Sequence, residues 1–403
     1  MTFPLSKEDI KRRILQTAFG SERRYRHASF VLDDFVEDEF AREIHTIVPP
    51  YAPFLKTLKL KSNEYSMVAL LPRLARVLPQ MQHLEHFSLQ SVSAGFPEAV
   101  LLESNTVRQL EVILSYDIIA HHRHFIRLHM PNLTSYSGKL HILDGSTTLD
   151  QLTDVTLTKP CSLRCYVNLG YYQERLSRLT NLTKLEIGFE VDDKLFEAIC
   201  KCCPSLQVLV LANLLDLNDI NKFALLNRLE NLRRLELESF FAANTGYIDL
   251  TPMAQLNYLV LRGTYLDECS KVTFPKSLKK VTMHIFGWLF MNRTRRMYQM
   301  CAEMEQLTEL DVVFQFNNAA QTLPELLDAI RCMGKLKRLS VSNGLISECC
   351  FEMLKTVLPG LRSILFVGCR IAKITYLGIG AELRIKNCID SLANPIQNGC
   401  FPV

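Results

Sequence analysis

The chain has 403 residues, of which 48% are hydrophobic and 22% are charged, with a formal net charge of +4. That composition is typical of a globular chain with a large core, and it excludes extended disorder. The small net charge gives no whole-protein field favouring nucleic acid, and no apolar run approaches the roughly 18 to 20 residues that span a bilayer. We therefore expect neither a membrane span nor a nucleic-acid partner.

The first twenty residues include Lys7, Asp9 and Arg12 and lack the apolar core of a secretory signal. The sequence therefore predicts an intracellular protein, cytoplasmic or nuclear. Its 13 cysteines are scattered without the regular spacing of a disulfide framework. In a reducing compartment we expect most of them to be small buried hydrophobes.

Residues 1–50 predict a helix capped by Ser6, a strand over His27–Leu32 and a second helix that ends before Pro49. A strand and helix that lead directly into a repeat array are typical of an N-terminal capping unit. The basic stretch from Lys7 to His27 is interpreted as a solvated helix face, because few aromatic residues interleave with it and an acidic run follows at Asp33–Glu43. Contact with RNA or an acidic partner is the alternative.

The stretch 181–219 contains one unit twice. Leucine or isoleucine recurs as L-x-x-L-x-L from Leu182 and again from Leu206, and an amphipathic run over Asp192–Cys203 separates the two frames. Strand alternation sends the apolar residues of each frame into one interior and the intervening residues outside. The pattern predicts strand, turn, helix and strand, and such a unit needs neighbours to bury its apolar face.

The same frame occurs thirteen times, at separations of 19 to 30 residues. The frames begin at Leu55, Leu84, Val107, Leu133, Leu152, Leu182, Leu206, Leu232, Leu256, Leu278, Leu307, Leu336 and Leu361. The weakest frame has Tyr136 and Gly138 in place of its second and third leucines, and the register of the Leu152 frame is open. We assign the array to 51–373 and a C-terminal cap and tail to 374–403, with the cap at Ile374–Asn387.

Several segments between frames carry helix signals. Thr322 and Glu325 form a capping box before Leu323–Met333, and Ser347 and Asp192 are further caps. The segments 94–103 and 159–167 have no helical period and predict irregular or 3₁₀ turns. The sequence therefore predicts an α/β solenoid with a parallel concave sheet and mixed helices and turns on its convex side.

The frames and their helix-forming spacers, such as LFEAICKCCPSLQVLVL, resemble intracellular leucine-rich-repeat proteins, and especially the repeats of F-box substrate receptors. This resemblance implies a curved horseshoe that binds a substrate protein within an SCF-type ubiquitin ligase, with Skp1 and cullin as partners if an F-box lies upstream. The N-terminal FPLSKEDIKRRIL has only a faint echo of the L-P-x-E opening of an F-box. A scaffold or inhibitor without a ligase is therefore the alternative.

Other constellations favour structural interpretations. His121, His122, His124 and His129 lack the spaced partner ligands of a metal site and are interpreted as a solvated loop. In CKCCP we assign Cys203 to the core and leave the other two cysteines outside it. No G-x-S-x-G, H-E-x-x-H or phosphate-binding glycine loop is present. We expect a non-enzyme without cofactor or metal.

The outward strand positions, which are the third, fifth and seventh of each frame, line the predicted concave surface. Apolar side chains there have no core to enter, so they indicate a partner-binding patch unless a loop covers them. Tyr and Arg are common anchors of interfaces. The predicted patch consists of Val208, Val210, Arg234, Glu236, Tyr258, Val260 and Arg262.

Overall fold

The structure is a computed structural model, and it describes 26–32, 54–62, 66–91, 100–114, 126–146, 149–158, 169–214, 220–238, 241–242, 247–262, 265–266, 271–285, 300, 303–304, 306–314, 322–357, 360–371, 382–386 and 388–390. The chain divides into two compact units, Met1–Phe189 and Glu190–Val403. They are called unit 1 and unit 2, and each is described by itself. The predicted boundaries at 50 and 373 stay predictions.

The described part of unit 1 is dominated by parallel strands. They are β1 (His27–Leu32), β2 (Thr57–Ser62), β3 (His86–Ser91), β4 (Val100–Glu103), β5 (Gln109–Leu114), β6 (Ile126–His129), β7 (Ser135–Gly138), β8 (Asp154–Leu157) and β9 (Lys184–Glu190). The main sheet has the order β1-β2-β3-β5-β7-β8-β9, and β4 pairs with β6. The α-helices are α1 (Ser66–Val77) and α2 (Leu169–Leu176), with 3₁₀ turns at Leu78–Gln80 and Leu140–Gly145.

Unit 2 repeats this plan. Its strands are β10 (Val208–Asn213), β11 (Arg234–Glu238), β12 (Phe241–Ala242), β13 (Tyr247–Asp249), β14 (Tyr258–Arg262), β15 (Tyr265–Leu266), β16 (Lys271–Thr273), β17 (Lys280–Ile285), β18 (Glu309–Phe314), β19 (Arg338–Ser342), β20 (Leu345–Ile346), β21 (Ser363–Val367), β22 (Arg370–Ile371), β23 (Glu382–Lys386) and β24 (Ile389–Asp390). The main sheet runs β10-β11-β14-β17-β18-β19-β21-β23, all parallel.

Short parallel ladders lie beside the main sheet of unit 2, pairing β12 with β15, β13 with β16, and β20 with β22 and β24. The described part of unit 2 includes the α-helices α3 (Asp193–Cys202), α4 (Thr322–Ala329) and α5 (Glu348–Val357), and 3₁₀ helices over Ile220–Arg228 and Ile330–Cys332. In the described residues of both units, no helix is long and apolar enough to cross a membrane.

Each predicted frame forms one strand of a main sheet, and the strand begins two residues after the first residue of the frame. The first, fourth and sixth positions point inward, so that Leu206, Leu209 and Leu211 are fully buried while Val208 and Val210 are not. The register of the Leu152 frame is settled in the same way by buried Val155 and Leu157. The prediction of a leucine-rich-repeat fold with a parallel sheet is confirmed.

The weakest frame, which begins at Leu133, has a large residue, Tyr136, and a small one, Gly138, where other frames have two leucines, and it still forms a strand. Tyr136 is fully buried, and its hydroxyl donates to the Lys139 carbonyl oxygen at 2.8 Å. A Cβ at Gly138 would lie 2.7 Å from the Val112 carbonyl oxygen and would also collide with the Tyr136 hydroxyl. Burial raises the pKa of Tyr136 well above its ordinary value. Only glycine leaves room for this tyrosine.

The predicted helices are largely confirmed where the structure describes them. The Asp192 carboxylate accepts from the Leu195 amide at 2.8 Å and caps α3, and α5 begins directly after Ser347. The strand His27–Leu32 is confirmed as β1. The helices predicted on either side of β1, and the turn at 159–167, lie outside the described residues.

Two predictions about segments between the main strands are wrong. Part of 94–103, predicted to be an irregular turn, is strand β4, because β6 offers it a parallel partner on the turn side. Cys200 is buried together with Cys203 rather than lying outside the core, because it lies on the inner face of α3. Burial raises the pKa of both thiols to about 12. Such thiols stay protonated at neutral pH, and they pack as small hydrophobes.

Candidate protein-binding face

The outward positions of unit 2 form three rows across strands β10 to β19. The third-position row is Val208, Arg234, Tyr258, Lys280, Glu309 and Arg338; the fifth-position row is Val210, Glu236, Val260, Thr282, Asp311 and Ser340; the seventh-position row includes Glu238, Arg262, His284, Val313 and Ser342. This surface is called the unit 2 face. Parallel pairing in register places members of a row about 4.8 Å apart on neighbouring strands.

A buried carboxylate lies at the centre of the unit 2 face. Glu236 is only 4% exposed. Arg234 donates from Nε to Glu236 Oε1 at 2.7 Å and contacts the same oxygen with its NH2 group, while the NH2 group of Arg262 lies 3.1 Å from Oε2. A buried charge is stable only when it is paired and hydrogen-bonded, so both arginines hold Glu236 in place.

Tyr258 lies between two cations. The guanidinium carbon of Arg234, on β11, is 4.7 Å from the centre of the Tyr258 ring, and the Lys280 ammonium, on β17, is also 4.7 Å from it. Both distances fit cation–π attraction, which contributes about 0.5–1 kcal/mol at exposed sites. The Tyr258 hydroxyl lies 3.2 Å from the Thr282 hydroxyl. The ring is therefore fixed on the face.

Asp311 links these residues to strand β18. Lys280 Nζ lies 3.2 Å from Asp311 Oδ2, and the Thr282 hydroxyl donates to the same oxygen at 3.3 Å. Burial opposes the charged form of Lys280, but the hydrogen bond and the negative charge of Asp311 outweigh burial and raise the pKa of Lys280. The connected contacts extend from Arg234 to Asp311 over four strands.

Two polar atoms on neighbouring strands of the unit 2 face have no hydrogen-bond partner among the residues that the structure describes. They are Arg262 Nε and His284 Nδ1, both buried, and the two residues are paired in register on β14 and β17. Burial, together with the positive charge of Arg262, lowers the pKa of His284 against the opposing effect of Glu236. The imidazole is therefore neutral at pH 7. An unsatisfied buried polar group costs about 1–3 kcal/mol, so each native case calls for an explanation.

The structure corrects part of the predicted patch. Val260, predicted to be exposed, is 1% exposed, and Glu236 is equally hidden. Val260 and Glu236 are buried because they lie in the fifth-position row, between the long side chains of the third and seventh positions. Val208 and Val210 are half-buried rather than open. Arg234, Tyr258 and Arg262 lie together as predicted, whereas Lys280, Asp311 and His284 were not included in the predicted patch.

Within the described residues, no group of three or more His, Cys, Asp or Glu side chains is placed to hold a metal ion. His129 faces Glu103, with 3.8 Å between its Nε2 and Oε1. The other three histidines of the predicted solvated loop lie outside the described residues. None of the seven cysteines whose side chains the structure describes forms a disulfide.

The frames, their buried leucines and the parallel strands define a leucine-rich-repeat protein. No family model and no curated protein matches the chain. Among solved structures, one described as a TLR13-ssRNA13 complex is 16% identical, covering 85% of this chain and 51% of that chain, with a TM-score of 0.49. A leucine-rich-repeat protein of Leptospira interrogans is 13% identical, covering 88% and 99%, with a TM-score of 0.32. The chain thus spans about half the length of the first.

Proposed function

We propose that this chain is a non-catalytic protein-binding module and that its partner contacts the unit 2 face. The observation that carries the proposal is the connected set of Arg234, Glu236, Tyr258, Arg262 and Lys280, which fixes large side chains on an outward sheet surface. Ordering side chains before binding removes part of the entropy cost of association. Tyrosine and arginine are also the residue types most often found at the centre of interfaces.

Apolar surface lies directly beside these polar residues. Val208 pairs in register with Arg234, and Val210 pairs with Glu236. Both valines keep part of their surface open. An apolar strip beside fixed arginine and tyrosine side chains has the composition of an interface centre, which is depleted of unpaired charge and enriched in aromatic residues and arginine.

The test compares partner recovery by four forms of the full-length chain: wild type, Val210→Asp, Tyr258→Ala and the control Arg331→Gln. Arg331 is exposed on the turn side of unit 2, where Asp328 is 3.5 Å away. We expect quantitative mass spectrometry of cross-linked complexes to find specific proteins with wild type and the control, depleted about tenfold in the two face variants. Equal recovery by all four forms would place the interface elsewhere and refute the proposal.

A narrower proposal is that the bound protein is a substrate of an SCF-type ubiquitin ligase. It is supported by the resemblance of the repeat pattern alone. Recovery of Skp1 and a cullin with the full-length chain would support it. Specific partners without Skp1 or cullin would instead favour a scaffold or inhibitor that uses the same face.

We also propose an intracellular location, cytoplasmic or nuclear. The free thiols of the described residues, including Cys200, Cys203 and Cys369, support it, since disulfides form and persist in oxidising compartments. Imaging of the chain tagged at its C-terminus tests this. Signal in the cytoplasm or nucleus is the expected result, and secretion into the medium would contradict it.

A further inference from the structure

We propose that the partner contributes an acidic segment, one carboxylate of which is bound by the guanidinium groups of Arg234 and Arg262 on the solvent side of Glu236. This inference rests on the proposed function and adds the chemistry of the partner. It predicts that aspartate or glutamate side chains, rather than basic or purely apolar ones, carry recognition at this face.

The first argument is the distribution of exposed charge. Arg234, Arg262 and Lys280 have side chains that are 43%, 40% and 35% exposed, whereas the side chain of Glu236 is 6% exposed. Asp311, at 31%, is the remaining carboxylate of the connected set. The connected set therefore exposes three cationic side chains and one carboxylate, that of Asp311, while the carboxylate of Glu236 is hidden. Within the connected set, accessible cations therefore outnumber accessible carboxylates, which favours an acidic group of the partner at this point.

The second argument is the convergence of two guanidinium groups. Arg234 and Arg262 reach different oxygens of the one Glu236 carboxylate, so their charged ends are only one carboxylate apart. A guanidinium group has five N–H donors, and Glu236 uses only some of them. The same spacing therefore suits a second carboxylate, which would complete a bidentate, charge-assisted arrangement from the solvent side.

The third argument is the unpaired donor on Arg262. Its Nε lacks an acceptor in the described part of the chain, beside an equally unpartnered His284 Nδ1. The contact between Glu236 and Arg262 joins Oε2 to Nη2 of the guanidinium group at 3.1 Å, not to Nε. Because Nε is buried, a partner carboxylate supplies the acceptor only if the Arg262 side chain turns towards solvent on binding, and the proposal includes that turn. Among the described residues, this donor of Arg262 thus has no acceptor.

The arrangement favours a short acidic protein segment over a nucleic acid. The three cations span β11 to β17, about 10 Å at two strand spacings. Beyond them lie the carboxylates of Glu309 and Asp311 on β18, and Glu238 lies on β11 itself. A phosphate backbone crossing the sheet would meet these anions. A segment with one or two carboxylates can contact Arg234 and Arg262 without crossing to β18.

A random peptide library displayed on phage and selected on the full-length chain tests the inference without a known partner. We expect selected peptides to be enriched in aspartate and glutamate. The best synthetic peptide should bind Arg234→Gln and Arg262→Gln at least about tenfold more weakly, while Arg331→Gln is unchanged. Glu236→Gln, which keeps the shape and removes the competing charge, should bind it more tightly. Thermal unfolding confirms that each variant is folded.

The outcomes separate the inference from the proposed function. Selected peptides that bind the unit 2 face but lack acidic residues, or that bind Glu236→Gln more weakly, overturn the acidic segment and leave protein binding standing. Acidic peptides that bind all variants equally place recognition elsewhere and overturn both. Tighter binding of a single-stranded RNA than of the best peptide at about 0.15 M salt would overturn the protein partner.

Discussion

The interiors of the two units have the same kind of residues, and the outward positions differ. In unit 1 the outward positions of β1 to β9 include many small hydroxyl side chains, among them Ser29, Ser135 and Thr156. On β11, β14 and β17 of unit 2 most outward side chains are long, being Arg, Glu, Tyr, Lys or His. A small side chain reaches at most the residue beside it, as Ser88 donates to Glu111 on the neighbouring strand at 2.5 Å. Long side chains reach across strands and fix one another. The frame sets the fold, and the residues between its leucines set the surface.

The largest effect should come from substitutions in the interior of either unit. Leu185 and Leu209 are fully buried at the same frame position in units 1 and 2. Aspartate at either site buries an unpaired charge, so we expect a loss of more than about 4 kcal/mol in the free energy of unfolding. Val210→Asp, on the outward side, should cost less than about 1.5 kcal/mol. Urea denaturation followed by circular dichroism measures all three.

Equal losses for Leu209→Asp and Val210→Asp would reverse the assignment of faces in unit 2. A small loss for Leu185→Asp beside a large one for Leu209→Asp would show that the two interiors are not equivalent.

An intermediate effect should distinguish the two outward faces. Ser88 and Glu236 are both buried at the fifth position of their frames. Ser88→Ala removes one hydrogen bond and should cost about 1 kcal/mol. Glu236→Ala leaves two guanidinium groups without their shared anion and should cost about 2–4 kcal/mol. Equilibrium unfolding of the two variants gives the difference, and equal costs would show that Arg234 and Arg262 are fully solvated without Glu236.

The smallest effect should be a pH dependence that the units share. The pKa of His86 is lowered by burial and by Lys59 against the pull of Glu111, and that of His284 by burial and by Arg262 against Glu236, both from an ordinary 6.5. A histidine with a lowered folded pKa binds its proton more readily when unfolded. Stability from these groups is therefore complete above about pH 6.5 and is lost as the pH falls towards the folded pKa values.

The measurement is the free energy of unfolding between about pH 7 and pH 5 for wild type, His86→Gln and His284→Gln. Each substitution should flatten the decline. Variants that keep the full decline of wild type would assign it to other groups.

The sequence was sufficient for the repeats, because burial of leucine at the first, fourth and sixth positions is a local pattern that strand alternation explains. Even the weak frame at Leu133 formed its strand, since Tyr136 fills the interior that two leucines fill elsewhere. The signal for Gly138 was present in the sequence as a glycine two residues after a buried tyrosine. The space it leaves for the ring is visible only in three dimensions.

The candidate face was predictable only in part. The frame placed Arg234, Tyr258 and Arg262 on neighbouring outward positions, but the burial of Val260 and Glu236 depends on side chains from adjacent strands that sequence spacing does not orient. One signal was available, namely long side chains at the third position of three consecutive frames, Arg234, Tyr258 and Lys280. Consecutive long side chains at the third position predict that the fifth-position residues beside them are buried.

The constant register has a consequence for how binding specificity can change within unit 2. The strand and the frame position of an outward residue together define its place on the sheet. Turns of different length do not alter that place, because frames separated by 22 to 29 residues still pair in register. A substitution at one outward position therefore leaves the backbone positions of the other outward residues unchanged. Exchanging Lys280 or His284 alone would present a new ligand preference on an unchanged scaffold.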